Sequence, residues 1–353
     1  MQPTLEDMLE PEHIFAAMHK CGNGVRWKSS VQKYEIDKLR WAATLQNQIA
    51  SGTYKSMGFK RFDIIERGKL RHIQSVHISE RTVQKLLCDY ALRPTVYPRL
   101  IYDNSASQEG KGTEFALKRL TEHLRWYYAR YGKTGVVITM DYHDFFGSIP
   151  HDGAIRKMSA NIDDERINKF IRDFVNAFDG EYGLGLGSET SQIGAICYPN
   201  MVDRLVKEQY GIHCYARYMD DSYIICPDRA YACRCLADIF DLAHALKIQM
   251  NRRKTAVHNL ATDDFVFLKK RVRLTDTGKV VMRLTRENIR EEENRILMMR
   301  TEYLAGRMTK ESLVQSYRAW RGYALKYSSY HVVGKMDKFF CRAMKGILWE
   351  EKK

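Results

Sequence analysis

The chain has 353 residues, 57 Lys and Arg against 43 Asp and Glu, and a formal net charge of +14. At 44% hydrophobic and 28% charged it has ordinary globular composition, with enough length for a sizeable core and more than one substructure. No apolar run reaches the roughly 20 residues of a membrane span, and the opening MQPTLEDMLEPEHIF is acidic and lacks a secretory apolar core; a helical membrane protein is excluded, and an intracellular protein with a polyanionic partner is predicted, nucleic acid ahead of an anionic membrane.

Residues 1 to about 60 read as helical, with Trp27 and Trp41 as packing anchors. Residues 61–80, RFDIIERGKLRHIQSVHISE, alternate around Arg67-Gly68-Lys69 and predict a basic β-hairpin. ERTVQKLLCDYALRP predicts a helix ended by Pro94. A polar loop, IYDNSASQEGKGT, precedes a helix over 113–131 with apolar positions at Phe115, Leu117, Leu120, Leu124 and Trp126. Val136 to Met140 is a short apolar strand that ends on Asp141. Residues 153–178 read as helical, and YGLGLGSETSQIGAICYPNMVDRL as a glycine-rich turn leading into an apolar helix. CYARYMDDSYIIC predicts a hairpin with Asp220 and Asp221 at its tip. A helix over about 229–247 follows, then the loop NRRKTAVHN, a strand FVFLKKRVRL, and a helical region from about 286 that is rich in Lys and Arg. The eight cysteines form no CxxC pair, and Cys233 and Cys235 make a CxC with no matching half, so reduced and mostly buried thiols are expected. The order of elements predicts an α+β fold, a sheet with helices on one face.

Three carboxylates fall at strand ends: Asp141, and the adjacent pair Asp220 and Asp221. Adjacent carboxylates repel, and strand interiors disfavour Asp, so the pair needs a cation to offset it. Mg²⁺ is held by one or two carboxylates plus substrate phosphates. Two such ions about 4 Å apart activate a hydroxyl and stabilise a leaving group.

In this context the chain resembles a reverse transcriptase, with motifs in order over about residues 60–340. The resemblance implies a right-hand architecture: an N-terminal helical extension (1–60), a fingers and palm domain with an antiparallel sheet (61–285), and a helical thumb (286–353). GKLRHI resembles the fingers hairpin, which implies Lys69 and Arg71 as triphosphate contacts. VVITMDYHDFF and RYMDD resemble the two palm motifs. They imply Asp141, Asp220 and Asp221 as metal ligands, Asp220 the stronger of its pair, with the backbone carbonyl of Tyr142 as a further one. Phe146 matches the steric gate against a ribose 2′-hydroxyl, and Lys254 in LKIQMNRRKT matches a proton donor to pyrophosphate. FVFLKK resembles the primer-grip turn, with Lys269 in the usual glycine position. The implied activity is RNA-directed DNA synthesis with two Mg²⁺ ions (Mn²⁺ as an alternative), an RNA template, a DNA or RNA primer and deoxynucleoside triphosphates.

The nucleotide-binding turn narrows the resemblance. Most relatives read Gln-Gly-x-x-x-Ser-Pro there. Here LGSETSQ puts Leu186 in place of the glutamine and Gln192 in place of the proline, with Gly187 and Ser191 kept. This pattern, and GKGT at Gly110 to Thr113, resemble reverse transcriptases of diversity-generating retroelements. SYRAWRGYALKYSSYH resembles the thumb of that group and of group II intron enzymes. The absence of a maturase or endonuclease extension after residue 353 weighs against an intron-encoded enzyme. The resemblance implies error-prone copying at template adenines for mutagenic retrohoming, a small basic accessory protein, and a bacterial or phage origin. Leu186 offers only apolar contact, which is expected to weaken discrimination between bases. In the thumb, Trp320, Tyr323 and Tyr327 recur at helical spacing and are expected in the core, while Arg318, Arg321 and Lys326 are expected on a nucleic-acid backbone. Two rivals remain: a phage-defence or otherwise domesticated reverse transcriptase, and a non-catalytic RNA-binding scaffold.

Overall fold

The computed structural model describes residues 2–66 and 69–348. The chain begins with four helices, α1 (Leu5–Met8), α2 (Pro11–Gly22), α3 (Ser29–Ile36) and α4 (Lys38–Ala50). A hairpin follows, β1 (Phe59–Glu66) and β2 (Lys69–Val76), paired antiparallel from Phe59↔Val76 to Glu66↔Lys69. The predicted turn residues Arg67 and Gly68 lie outside the described residues. Trp41 packs against the core as expected, but Trp27 is 76% exposed and anchors nothing.

Pro94 does not end its helix. α5 (Ile78–Leu87) widens into a π turn over Cys88–Leu92 and continues as α6 (Arg93–Val96). A proline ring clashes with the carbonyl four residues earlier and lacks an N–H. The wider turn, in which Arg93 N–H bonds the Cys88 carbonyl, opens the helix just before Pro94 and lets the chain continue.

α7 (Thr113–Tyr131) and β3 (Val136–Met140) form as the sequence predicts. The short α8 (Phe145–Ser148) follows. The helical stretch predicted over 153–178 is two helices, α9 (His151–Ser159) and α10 (Glu165–Asn176). The break arises because Asp164 caps α10, accepting from Arg166 N at 3.0 Å. Next come α11 (Glu189–Cys197), α12 (Asn200–Arg204), the hairpin strands β4 (Tyr215–Tyr218) and β5 (Asp221–Cys226), and α13 (Arg229–Ala245). The sequence reading missed β6 (Ala256–Asn259). FVFLKKRVRL is two strands, β7 (Phe265–Phe267) and β8 (Lys270–Leu274), followed by β9 (Val280–Leu284). Leu268 and Lys269 between them both have positive φ, 46° and 59°. The C-terminal helices are α14 (Arg286–Leu304), α15 (Lys310–Leu325) and α16 (Tyr330–Ala343).

The chain divides into two compact units. Unit 1 comprises Met1–Ala116, Met140–Ser222 and Cys233–Thr255. Its core gathers Leu86, Leu87, Leu92, Ile167, Ile171 and Ile193 among others. Unit 2 comprises Leu117–Thr139, Tyr223–Ala232 and Ala256–Lys353. There β3 pairs antiparallel with β6, Val136↔Asn259 to Thr139↔Ala256, and the β7-β8-β9 sheet is antiparallel throughout. A separate cluster of Ile296, Met299, Leu313, Tyr317, Met336 and Phe340 joins the last three helices. The mixture of helices and antiparallel sheets is an α+β fold, as predicted. Among the described residues, no helix is long and apolar enough to cross a membrane.

Candidate active site

β3 is apolar and buried along its whole length, and it ends by presenting a carboxylate. Asp141, the next residue, is only 4% exposed. The chain around it pairs with the segment after α13. His143 N donates to the Gln249 carbonyl at 2.7 Å, and Asn251 N donates to the Asp141 carbonyl at 2.8 Å. This backbone pairing brings two side chains to the Asp141 carboxylate. Asn251 Nδ2 donates to Oδ1 and Lys254 Nζ to Oδ2, each at 2.8 Å. Burial alone favours the neutral amine of Lys254. The bond to Asp141 and the charges of Asp141, Asp221 and Asp220 outweigh it and hold its pKa above the ordinary lysine value.

The second part of the site is the tip of the β4–β5 hairpin. Met219 has φ 54°, a left-handed conformation disfavoured for a non-glycine residue. Arg217, two residues earlier, is fully buried and holds this turn from beneath. Its Nη1 donates to the Met219 carbonyl at 3.1 Å and its Nη2 to the Ile196 carbonyl at 2.8 Å. Its guanidinium also grips both oxygens of the fully buried Asp203, at 2.8 and 2.6 Å, while the Tyr215 hydroxyl donates to the same carboxylate at 2.5 Å. The backbone of β4 is fixed in turn by the 103–105 loop: Arg217 N donates to the Asp103 carbonyl at 3.1 Å and Ser105 N to the Arg217 carbonyl at 2.9 Å. The strained turn thus sits on a guanidinium whose charge is balanced and whose donors are spent on fixed acceptors.

Asp220 and Asp221 are partly exposed at this tip. Burial, then the neighbouring charges of Asp220 and Asp141, push the Asp221 carboxyl up to about 7, with Lys254 acting in the opposite sense. The three predicted carboxylates and Lys254 therefore share one electrostatic environment within unit 1. Among the described residues, no three acidic, histidine or cysteine groups stand close enough to enclose an ion by themselves, and the ammonium of Lys254 lies on Asp141. The donor chemistry nevertheless fits a hard cation such as Mg²⁺, which takes one or two carboxylates and completes its shell with substrate phosphates and water. A divalent cation would also favour the ionised form of the raised Asp221 carboxyl.

The glycine-rich turn with LGSETSQ lies in the same unit. Gly183 N donates to the Ile149 carbonyl at 2.9 Å and Leu184 N to the Phe146 carbonyl at 2.8 Å, which ties the turn to the segment carrying Phe146. Phe146 is half-buried and meets Phe145 edge-on at 5.7 Å. The half-buried Leu186 lies against β2, where its carbonyl accepts from Gln74 N at 3.3 Å. A side chain at Gly185 would sit 2.3 Å from the Phe178 ring, so the close approach there needs glycine. Gly187 has φ 109°. Glu189 is held by Lys85 at 3.0 Å and by Arg93. Ser191 is buried, and its Oγ has no hydrogen-bond partner. Gln192 is exposed, with its Oε1 accepting from Ser107 at 3.1 Å. Tyr142 is buried with its ring centroid 5.3 Å from that of Phe145, and its hydroxyl is likewise unpartnered. Lys69 and Arg71 fall on β2, opposite Glu66 and Ile64, but their side chains lie outside the described residues.

The expected nucleic-acid residues belong to unit 2. Arg318, Arg321 and Lys326 are all exposed, and Arg321 is ion-paired with Asp337 at 3.0 Å. Trp320 packs in the helical core as expected. Tyr323 is 40% exposed, and with Tyr327 it flanks the buried Lys270 ammonium, each ring centroid at 4.3 Å. Lys111 of GKGT spends its ammonium on the Tyr102 and Asn104 carbonyls, at 2.8 and 3.1 Å, and so fastens its own loop.

Sequence reasoning missed Asn251, Arg217 and Asp203. The available signal for Arg217 was a lone arginine in an apolar strand, which calls for a buried partner. Nothing local marked Asp203 as that partner.

A protein-family model described as "Reverse transcriptase (RNA-dependent DNA polymerase)" matches residues 57–296. A comparison with curated proteins gives no match.

Proposed function

The chain belongs to the reverse transcriptase family and is an RNA-directed DNA polymerase, and from that premise we propose that it copies RNA at the Asp141, Asp220 and Asp221 centre in the service of a diversity-generating retroelement. The observation that carries the catalytic assignment is the gathering of three carboxylates at one place: Asp221, raised to about 7 first by burial and then by the charges of Asp220 and Asp141, shares their field. The proposed architecture is that of a right hand: residues 1–60 as an extension, 61–285 as fingers and palm, and 286–353 as thumb.

Asp141, Asp220 and Asp221, with the Tyr142 carbonyl, would hold the divalent ions that the family uses. Those ions supply activation of the primer 3′-hydroxyl and charge stabilisation on the leaving pyrophosphate. The primer 3′-hydroxyl gives its proton to solvent, its oxygen bonds to the α-phosphorus of the incoming nucleotide, and the bond from that phosphorus to the bridging oxygen breaks, its electron pair leaving with pyrophosphate. Lys254, 61% exposed along its side chain, leaves Asp141 and gives a proton to the pyrophosphate. Phe146 excludes a ribose 2′-hydroxyl. Lys69 and Arg71 take the triphosphate, while Leu186, Gly187, Ser191 and Gln192 form the nucleotide-binding turn. Arg318, Arg321 and Lys326 follow the duplex backbone, with Arg321 exchanging Asp337 for phosphate.

The retroelement role rests on LGSETSQ. Its side-chain apolarity at Leu186 removes a directional contact to the nucleotide, so selection rests more on shape and pairing. The role also brings a small basic accessory protein and a bacterial cytoplasm. Sequencing of cDNA made from a defined RNA is the test. Wild-type errors are expected to concentrate at template adenines, and Leu186→Gln is expected to reduce them several-fold. Errors spread evenly over all four template bases favour the defence or domesticated enzyme instead, and an unchanged spectrum in Leu186→Gln removes this account of the turn.

A further inference from the structure

The three-stranded sheet of unit 2 has two unlike faces, defined by its register. Phe265, Val272, Phe267, Lys270 and Leu284 are buried on one side. The opposite side carries Val266, Arg271, Arg273 and Arg283, all exposed. Arg271 is paired directly with Arg283 across β8 and β9, and with Val266 across β7 and β8. Like charges directly opposite one another destabilise a sheet. Asp264 answers two of them, shared between Arg271 at 3.3 Å and Arg273 at 3.4 Å, and the charge of Asp276, which is itself paired with Lys133, also acts on Arg273. These separations exceed the 2.7–2.9 Å of a close charge-assisted bond. Among the described residues, no carboxylate pairs with Arg283. Arg271 and Arg273 keep side-chain exposures of 45% and 55%.

We infer that this arginine face is a docking surface for the phosphate backbone of RNA. Three guanidiniums against Asp264, with Asp276 already paired to Lys133, leave a net positive patch on a rigid element. Alternate residues on a strand repeat at about 6.7 Å, comparable to the separation of successive phosphates. Guanidinium forks match phosphate oxygens in two-point contacts, which explains arginine at all three positions. The fold does not need these charges, because the face opposite them supplies the buried contacts. Contacts of this kind read no sequence and hold a structured RNA by its backbone.

The test uses the full chain and a labelled RNA hairpin carrying no primer, so that binding is read without synthesis. The triple variant Arg271→Gln, Arg273→Gln, Arg283→Gln is compared with wild type between about 50 and 200 mM salt. Its affinity is expected to fall about tenfold, and the slope of log K against log salt to shrink by about 2 to 3, at 0.7–0.9 per phosphate released. The corresponding triple lysine variant keeps the charge and is expected to recover most of both. Melting curves establish that each variant is folded. Unchanged affinity and slope in the folded glutamine variant overturn the inference. So does a folded lysine variant as weak as the glutamine one. Loss of polyglutamate binding with RNA binding intact overturns it in favour of an acidic protein partner.

Discussion

Asp220→Asn is expected to lower single-nucleotide addition on an RNA template by about a thousandfold or more while leaving the melting temperature within a few degrees of wild type. Asp220 stands at a partly exposed hairpin tip, and asparagine has nearly the same size and shape, so the substitution creates no cavity. What it removes is one negative charge from a group of three carboxylates. A metal ligand that stabilises charge in the transition state is worth several kcal/mol, and about 4 kcal/mol corresponds to a thousandfold in rate. Relief of repulsion is expected to leave the folded chain equally or slightly more stable, the opposite direction to activity. Synthesis and biological effect both surviving this change would favour a scaffold that uses the fold without catalysis.

Arg217→Met is expected to act differently, losing stability and activity together. The guanidinium is fully buried against Asp203, and burial would favour loss of its proton if the Asp203 charge did not hold its pKa above the ordinary arginine value. Removing one partner of a buried ion pair leaves the other charge unpaired and costs about 3–5 kcal/mol. The Met219 and Ile196 carbonyls also lose their donors, and the left-handed Met219 loses its support. A melting temperature many degrees lower is expected in thermal denaturation. Replacing both partners, Arg217→Met with Asp203→Leu, is expected to recover much of the stability but little activity, because the hairpin tip is then packed without being fixed. Equal recovery of both would show that Arg217 serves the core alone and not the placement of Asp220.

Much of this arrangement was legible in the sequence because it depends on local patterns. VVITM is a short apolar run ending on a charge, and it forms β3 with Asp141 at its end. The helix over 113–131 carries its apolar residues at helical spacing and forms as α7. Features that were not legible depend on distant partners or on backbone states that residue type does not announce. The turn between β7 and β8 puts Leu268 and Lys269 at positive φ, where Asn-Gly or Gly would be the usual signal. β6 is only four residues of mixed polarity, AVHN, and is a strand because β3 supplies its partner. Trp27 is large and apolar yet 76% exposed, because apolarity states a preference for burial and not the presence of a neighbour. In the site, residue type identified the carboxylates, whereas Asn251 and Arg217 became visible only when their partners did. Asn251 reaches Asp141 across 110 residues of chain, and Arg217 finds Asp203 on another element.

The proposed chemistry requires Asp141 to belong to a cation-binding catalytic centre and its bond to Lys254 to be exchanged on loading. The most direct measurement follows Mn²⁺ binding by electron paramagnetic resonance alongside single-nucleotide addition, in wild type and in Asp141→Asn. In wild type, Mn²⁺ is expected to bind in the presence of primer–template and nucleotide and to be displaced by Mg²⁺. In Asp141→Asn, occupancy and addition are expected to fall together. Addition at the wild-type rate in that variant, or Mn²⁺ binding unaffected by it, would contradict the central assignment.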